Sequence, residues 1–141
     1  MEAFQPPTMD DVRKYWPMVS RGLMAVLEKC PSMVLWPEDF YAEIKAGSMK
    51  IMICTVNGEY EGFMVVGTAQ QPDGQSLHVW AMHHAGDDPD FSVNAVSIFD
   101  QLARLVNAKR VTFVGRAGWL KEMARHGYRL MITTHYTLER Q

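Results

Sequence analysis

The sequence has little of what marks secreted, membrane-spanning or nucleic-acid-binding proteins. Its only two cysteines, Cys30 and Cys54, form no CxxC pair, which argues against a disulfide framework. No apolar run approaches the ~20 residues that a bilayer-spanning helix needs, and the N-terminus lacks the features of a secretory signal. The net charge of −2 is not that of a phosphate-backbone binder. We therefore predict a single domain, residues 1–141, located in the cytoplasm or in a virion assembled there, that binds neither membranes nor nucleic acid.

The first part of the chain has apolar residues at helical spacing. A first helix is predicted to open at Thr8, with Asp11 as the acid of a capping box. Pro17 is predicted to kink or break this helix, because proline removes a backbone donor and clashes with the preceding turn. A second helix is predicted to start near Pro37, which suits a first helical turn, and to end at Gly47.

Strand signals follow these helices. Residues 49–56 are rich in β-branched and apolar side chains and stop at Asn57-Gly58, a strong hairpin signal. Residues 60–70 form the predicted partner strand, and residues 77–83 a third strand after another turn. The pattern indicates an antiparallel meander.

The spacing then becomes helical again. Asp88 is the predicted N-cap of a long amphipathic helix, with Pro89 at its first position. Residues 111–114 are predicted to form a short buried strand, residues 119–126 a helix, and residues 130–138 a final strand. A strand, a helix and a strand in this order predict a parallel, right-handed crossover, so the fold class is α/β with a mixed, mostly antiparallel sheet.

This order of elements resembles the GNAT superfamily of acetyltransferases over most of the chain, without a clear first strand before the first helix. The nearest local match is residues 111–128, where Gly127-Tyr128 replaces the usual Gly-Phe. The resemblance implies a GNAT-like sheet flanked by helices. It also implies a site in which acetyl-CoA lies beside the fourth strand, with its pyrophosphate on backbone amides at the N-terminus of the long helix.

The loop in that position departs from the family pattern Q/R-x-x-G-x-G/A. Residues 83–90 contain one glycine, Gly86, and place Asp87 and Asp88 where the pyrophosphate would rest. A close like-charge contact costs ~1 to ~4 kcal/mol, whereas a helix terminus stabilises a charge by about 0.3–2 kcal/mol. We therefore predict that the chain uses no cofactor, with acetyl-CoA as the alternative. In that alternative, basic residues of the last third are the anion contacts, namely Arg116 and Lys121.

The catalytic pattern departs as well. Many family members have a tyrosine that protonates the CoA thiolate, and Met123 at this position cannot transfer a proton. If the chain is an enzyme, His84 or Glu61 is the candidate base and Tyr128 the candidate acid, in a different geometry.

The histidines around the loop do not predict a metal site. Strand alternation places His78 and His84 on one face and His83 on the other, so no three or four ligands converge.

Two hypotheses follow. In the first, the chain is a non-catalytic, acetyltransferase-like scaffold whose partners are other proteins or itself, with Trp16 and Trp36 as interface residues. The opening helix and compact body are similar to small proteins encoded among the structural genes of tailed phages, which implies a virion component. In the alternative, the chain is a divergent N-acetyltransferase that moves an acyl group from acyl-CoA to an amine.

Overall fold

The computed structural model describes residues 4–5, 7–29, 35–113, 124–125 and 127–128. The strands are β1 (Phe4–Gln5), β2 (Lys50–Val56), β3 (Glu59–Gln71), β4 (Gly74–His84) and β5 (Arg110–Phe113), and the helices are α1 (Met9–Lys29), α2 (Pro37–Ala46) and α3 (Phe91–Leu105). Of the predicted helix 119–126, Ala124 and Arg125 are described and are helical. The predicted final strand, 130–138, lies outside the described residues.

One sheet contains all five strands in the order β1-β2-β3-β4-β5. The first three pairings are antiparallel, and β4 pairs parallel with β5 across the α3 crossover, which confirms the predicted mixed sheet. The expectation of no clear strand before the first helix needs correction. Phe4 and Gln5 form β1 and pair with Cys54 and Ile53; two residues are too few for alternation to reveal a strand.

Helix α1 begins as predicted. The amide of Asp11 donates to the Thr8 hydroxyl and the amide of Thr8 donates to the Asp11 carboxylate, both at 3.2 Å, which is a reciprocal capping box. A break at Pro17 does not occur, because α1 continues to Lys29 and its apolar face is buried along its length. The residues of that face include Val12, Val19 and Leu23. No helix in the described part of the chain is long and apolar enough to cross a membrane.

The sheet separates two cores. We call the side covered by α1 and α2 the α1 face and the opposite side the α3 face. The α1 face buries Val12, Val19, Leu23, Phe40, Ile44, Met49, Ile51, Ile53, Phe63, Val65 and Ala81. The α3 face buries Cys54, Met64, Val66, Leu77, Val79, Phe91, Ala95, Val96, Phe99 and Ala103.

Two β-bulges interrupt the pairing. In β3, Cys54 pairs with Gly62 and Thr55 with Tyr60, so Glu61 is an extra residue. In β4, Val66 pairs with Val79 and Val65 with Ala81, so Trp80 is an extra residue. A bulge redirects the side chains that follow it.

The bulge at Trp80 reverses the predicted placement of the histidines. His78 contacts Thr112 on the α1 face, whereas His84 stacks on Phe91 of the α3 core. His83 packs against Phe63, so it shares the α1 face with His78. The prediction that His78 and His84 share a face is wrong, because simple alternation does not hold across a bulge.

Candidate functional site

The parallel pairing of β4 with β5 is short. It runs from Ser76–Arg110 to Val79–Phe113, and an ion pair between Arg110 and Asp73 anchors its beginning. Within the described residues, nothing pairs with this edge of β4 after Val79. The bulge at Trp80 directly follows the last described pair, Val79–Phe113, and the rest of β4 leads to the loop before α3.

His78 lies beside this bulge. Its Nδ1 is 2.7 Å from the Thr112 hydroxyl, and its ring meets Trp80 edge to face with centroids 4.5 Å apart. Burial lowers the pKa of His78, and a hydrogen bond to the backbone of Thr112 opposes this only in part. The neutral imidazole is therefore favoured, with Nδ1 engaged by Thr112 and Nε2 as the nitrogen that can accept a proton.

Glu61 organises the loop that follows β4. Its carbonyl oxygen accepts hydrogen bonds from the amides of Ala85 and Gly86, at 2.8 and 3.0 Å. Its carboxylate is 2.8 Å from His84 Nε2 and accepts the amide of Asp88 at 3.2 Å. Burial acts to raise the pKa of Glu61, but hydrogen bonds from His84 and from the backbone of Asp88 and Asp87 lower it more, and the resulting pKa is below the ordinary value. Glu61 is therefore a poor proton acceptor at neutral pH.

Two glycines make this packing possible. A side chain at Gly86 would overlap the Glu61 carboxylate, and one at Gly62 would overlap the His83 carbonyl and the Phe91 ring. The single glycine of the loop is thus explained by Glu61 within the protein.

Phe91 joins the loop to the core. It is the first residue of α3 and is 1% exposed. Its ring stacks on His84 with centroids 4.3 Å apart and planes 5° apart. The end of β4 and the start of α3 are therefore held together by one ring pair.

Helix α3 begins later than predicted. Its N-cap is Asp90, without a side-chain capping hydrogen bond, and no acidic residue lies in its first turn. The Asp88 carboxylate accepts the Asp90 amide at 3.1 Å, and the Asp88 carbonyl accepts the Phe91 amide. The predictions of Asp88 as N-cap and Pro89 as first helical residue are therefore wrong. Propensity rules favour that pair, but the Asp88 side chain instead forms a turn before the helix.

No family model matches the sequence, and no curated protein matches it. Solved structures do match. A protein described as a probable acetyltransferase superposes with a TM-score of 0.72 at 14% identity, covering 98% of this chain and 97% of that one. A ribosomal-protein-alanine N-acetyltransferase from Brucella melitensis biovar Abortus 2308 gives 0.69 at 14% identity, covering 97% and 99%. A predicted acetyltransferase from Clostridium acetobutylicum, crystallised with acetyl-CoA, gives 0.65 at 12% identity, covering 100% and 96%.

The chain has the GNAT fold. The sequence-based prediction that it uses no cofactor is wrong, because a neighbour with this fold was crystallised with acetyl-CoA. The prediction assumed that an aspartate cap occupies the amides of the long helix, and the uncapped start of α3 removes that assumption. The scaffold, virion and protein-partner predictions gain no support from these neighbours.

Tyr128 lies on the α3 side of this GNAT fold. Burial, and then its hydrogen bond to Asp100, raise the pKa of Tyr128 to about 12. Asp100 also accepts a hydrogen bond from Arg104 Nε at 3.0 Å. The Tyr128 phenol therefore stays protonated at neutral pH, and its use as an acid stays a prediction.

The remaining predicted site residues are spread over the molecule. Trp16 is half-buried and meets Tyr41 edge to face at 4.9 Å, beside a groove of about 400 Å³, whereas Trp36 is 61% exposed. Their interface role stays a prediction. Three further positions lie outside the described residues, namely Arg116, Lys121 and Met123.

His78 was missed as a catalytic candidate from the sequence. Its environment depends on Trp80 and Thr112, and Thr112 lies on a strand 34 residues away. The sequence shows only a histidine within an apolar strand. A buried histidine with a purely structural role, its ring nitrogens hydrogen-bonded, gives the same pattern.

Cys54 gives a direct test of the α3 core. Burial, followed by the negative charges of Glu61 and Asp88, raises the pKa of Cys54 to about 11. Since the thiolate is the reactive form, we expect no alkylation of Cys54 by iodoacetamide at pH 8 in the folded protein, and rapid alkylation in urea. A Cys30→Ser background limits the readout by mass spectrometry to this thiol. Rapid labelling without denaturant would contradict the described packing.

Proposed function

We propose that this protein is an N-acyltransferase that uses acetyl-CoA as the acyl donor and an amine as the acceptor. The observation that supports this most directly is the β-bulge at Trp80 in the GNAT fold, which lies beside His78, a histidine held by Thr112 and with a pKa lowered by burial. We place the chemistry along β4, between this bulge and the start of α3.

The residues present fit the donor at three points. Beyond its last pair with the described part of β5, the edge of β4 carries backbone groups that an extended amide-containing chain can pair with, in the manner of strand addition. The first turn of α3 has no side-chain cap and no acidic residue, so its amides and dipole favour a phosphate group. At the bulge, a backbone amide released from the ladder can polarise a carbonyl oxygen. When bound, acetyl-CoA supplies the activated acyl carbon.

The residue proposed to accept the proton is His78. It faces α1, whereas α3 lies on the opposite side of the sheet, so the amine would approach from the α1 face. In the transfer, the amine nitrogen bonds to the acyl carbon, the carbon–sulfur bond breaks, and the ammonium proton passes to His78 Nε2. The sulfur leaves as a thiolate, which takes a proton from water; Tyr128, with its pKa raised to about 12, is a weaker acid than the thiol that forms. A general base of this kind contributes typically 10²–10⁴-fold.

The test combines binding and turnover. We expect acetyl-CoA to bind in calorimetry with a dissociation constant of about 1 µM to 1 mM, the usual range for substrates. Thiol release is then measured with amines that enzymes of this fold are named for: a peptide with N-terminal alanine, glucosamine 6-phosphate and an aminoglycoside. No heat of binding at millimolar acetyl-CoA, together with no thiol release above the amine-free control, would contradict the proposal.

A further inference from the structure

We infer that Glu61 is a positioning residue, which holds residues 85–88 in the shape that presents the start of α3 to the diphosphate of the acyl donor. This inference rests on the proposed function and assigns Glu61 a role other than proton transfer. It begins with the bulge in β3, where Glu61 is the unpaired extra residue. The bulge frees both its backbone and its side chain to face the loop after β4.

One residue, Glu61, accepts most of the hydrogen bonds that the backbone amides of this loop donate. The Glu61 carbonyl accepts the amides of Ala85 and Gly86, and the carboxylate accepts the amides of Asp87 and Asp88. The same carboxylate binds His84. These groups are turned inward by Glu61, which is only 8% exposed. The donors left for an external anion are consequently those of the first turn of α3 after Phe91, whose own amide donates to the Asp88 carbonyl.

The negative charge on Glu61 strengthens the hydrogen bonds that it accepts from the loop. Hydrogen bonds from amides to a carboxylate are roughly twice as strong as those to a neutral acceptor. Without this acceptor the amides of Asp87 and Asp88 would lose their partner, and the loop would rearrange to reach solvent. The exposed carboxylate of Asp87 would then be free to move toward the helix terminus, where Asp90 already lies as the N-cap. Glu61 therefore keeps the acidic loop compatible with an anionic ligand.

The experiment compares Glu61→Ala, Glu61→Gln and Glu59→Ala. Gln keeps an oxygen acceptor, and Glu59, an exposed residue of the same strand, controls for loss of one negative charge. We expect Glu61→Ala to weaken acetyl-CoA binding at least about tenfold, the scale of one lost charge-assisted hydrogen bond. Glu61→Gln should recover most of this loss, and Glu59→Ala should bind as the wild type does. The donor S-acetyl-pantetheine, which lacks the diphosphate, should show KM values within about twofold for all four proteins.

A second readout does not depend on activity. Amide hydrogen exchange, followed by NMR, should be faster at Asp87 and Asp88 in Glu61→Ala than in the wild type, and near the wild-type rate in Glu61→Gln. Unchanged exchange at these amides in Glu61→Ala would overturn the inference. If Glu61→Ala fails to fold, Glu61→Leu, which keeps most of the side-chain volume but has no acceptor, takes its place, and its exchange rates at Asp87 and Asp88 decide the same point.

Other outcomes separate the inference from the proposed function. Equal losses of kcat in Glu61→Ala and Glu61→Gln, with KM unchanged, would make Glu61 a proton acceptor and overturn the positioning role. Tighter acetyl-CoA binding by Glu61→Ala would show that the carboxylate competes with the diphosphate, which also overturns it. Absence of acetyl-CoA binding by the wild type would refute the proposed function, whereas the exchange data would still decide whether Glu61 holds the loop.

Discussion

Replacing His78 with alanine should lower kcat for acyl transfer by about 10²- to 10³-fold, within the range for loss of a general base. The KM for acetyl-CoA should change little, because His78 lies on the α1 face whereas the donor is proposed to pair with the edge of β4 and the start of α3. Steady-state thiol release, with the acceptor that gives turnover in the amine panel, measures both constants. His84→Ala is the matched control, since His84 lies at the end of β4, on the other face of the sheet, and is bonded to Glu61. A large loss of kcat in His84→Ala, with none in His78→Ala, would reverse the assignment.

The pH dependence of kcat distinguishes a general base at His78 from a histidine with a structural role only. The active form of a general base is unprotonated, and burial holds the pKa of His78 below its ordinary value. The rising limb of kcat against pH should therefore lie below the unperturbed value of about 6.5, so that activity persists into mildly acidic solution. The limb should disappear in His78→Ala. Replacing Thr112 with valine removes the hydroxyl contact of His78 Nδ1 but keeps the backbone hydrogen bond that raises the pKa, so the limb should stay below about 6.5. Movement toward alkali would contradict this account of the His78 environment.

Replacing Phe91 with alanine should reduce the free energy of unfolding by about 3–5 kcal/mol, as for other large-to-small changes in a core. Phe91 is 1% exposed, and its ring fills the space beside Gly62 and His84. Urea denaturation followed by circular dichroism measures the loss. Phe91→Leu preserves more of the volume and should cost less than half as much. A loss below about 1 kcal/mol for the alanine variant would mean that Phe91 does not fill this core, since surface substitutions fall in that range.

Phe91→Ala should affect acetyl-CoA binding as well as stability. Because Phe91 is both a core residue and the first residue of α3, its removal should also weaken acetyl-CoA binding at temperatures where the protein is still folded. Phe91→Leu, which preserves more of the side-chain volume, should weaken acetyl-CoA binding less than Phe91→Ala does.

The sequence was sufficient for the larger elements of the fold. Alternation and the Asn57-Gly58 turn predicted the meander, and the apolar spacing after Thr8 predicted α1, because these signals are local and repeat many times. The predictions that were wrong concerned single positions. Asp88 and Pro89 form a favourable start for a helix, but the Asp88 side chain bonds to Asp90 instead, and tertiary packing at Phe91 fixes where α3 begins.

The candidate site was predicted less well for the same reason. Resemblance to the GNAT fold identified the loop around Gly86 and named Glu61 and His84. It did not reveal that Glu61 lies under the loop, since this depends on a one-residue bulge. The second bulge, at Trp80, placed His78 on the opposite face from His84. Bulges have no dependable sequence signal, and each one reverses every assignment that follows it along the strand.

The strand order has a consequence for how the molecule assembles. The pairings at the centre of the sheet join neighbouring segments through tight turns, whereas β1 reaches β2 past two helices and β5 reaches β4 past a third. Closing a longer loop costs more chain entropy, so the central hairpins should form early and the outer strands should dock last. Under native conditions, β5 should also be among the first elements to detach. The side of the sheet on which β5 docks is therefore able to open while the rest of the protein remains folded.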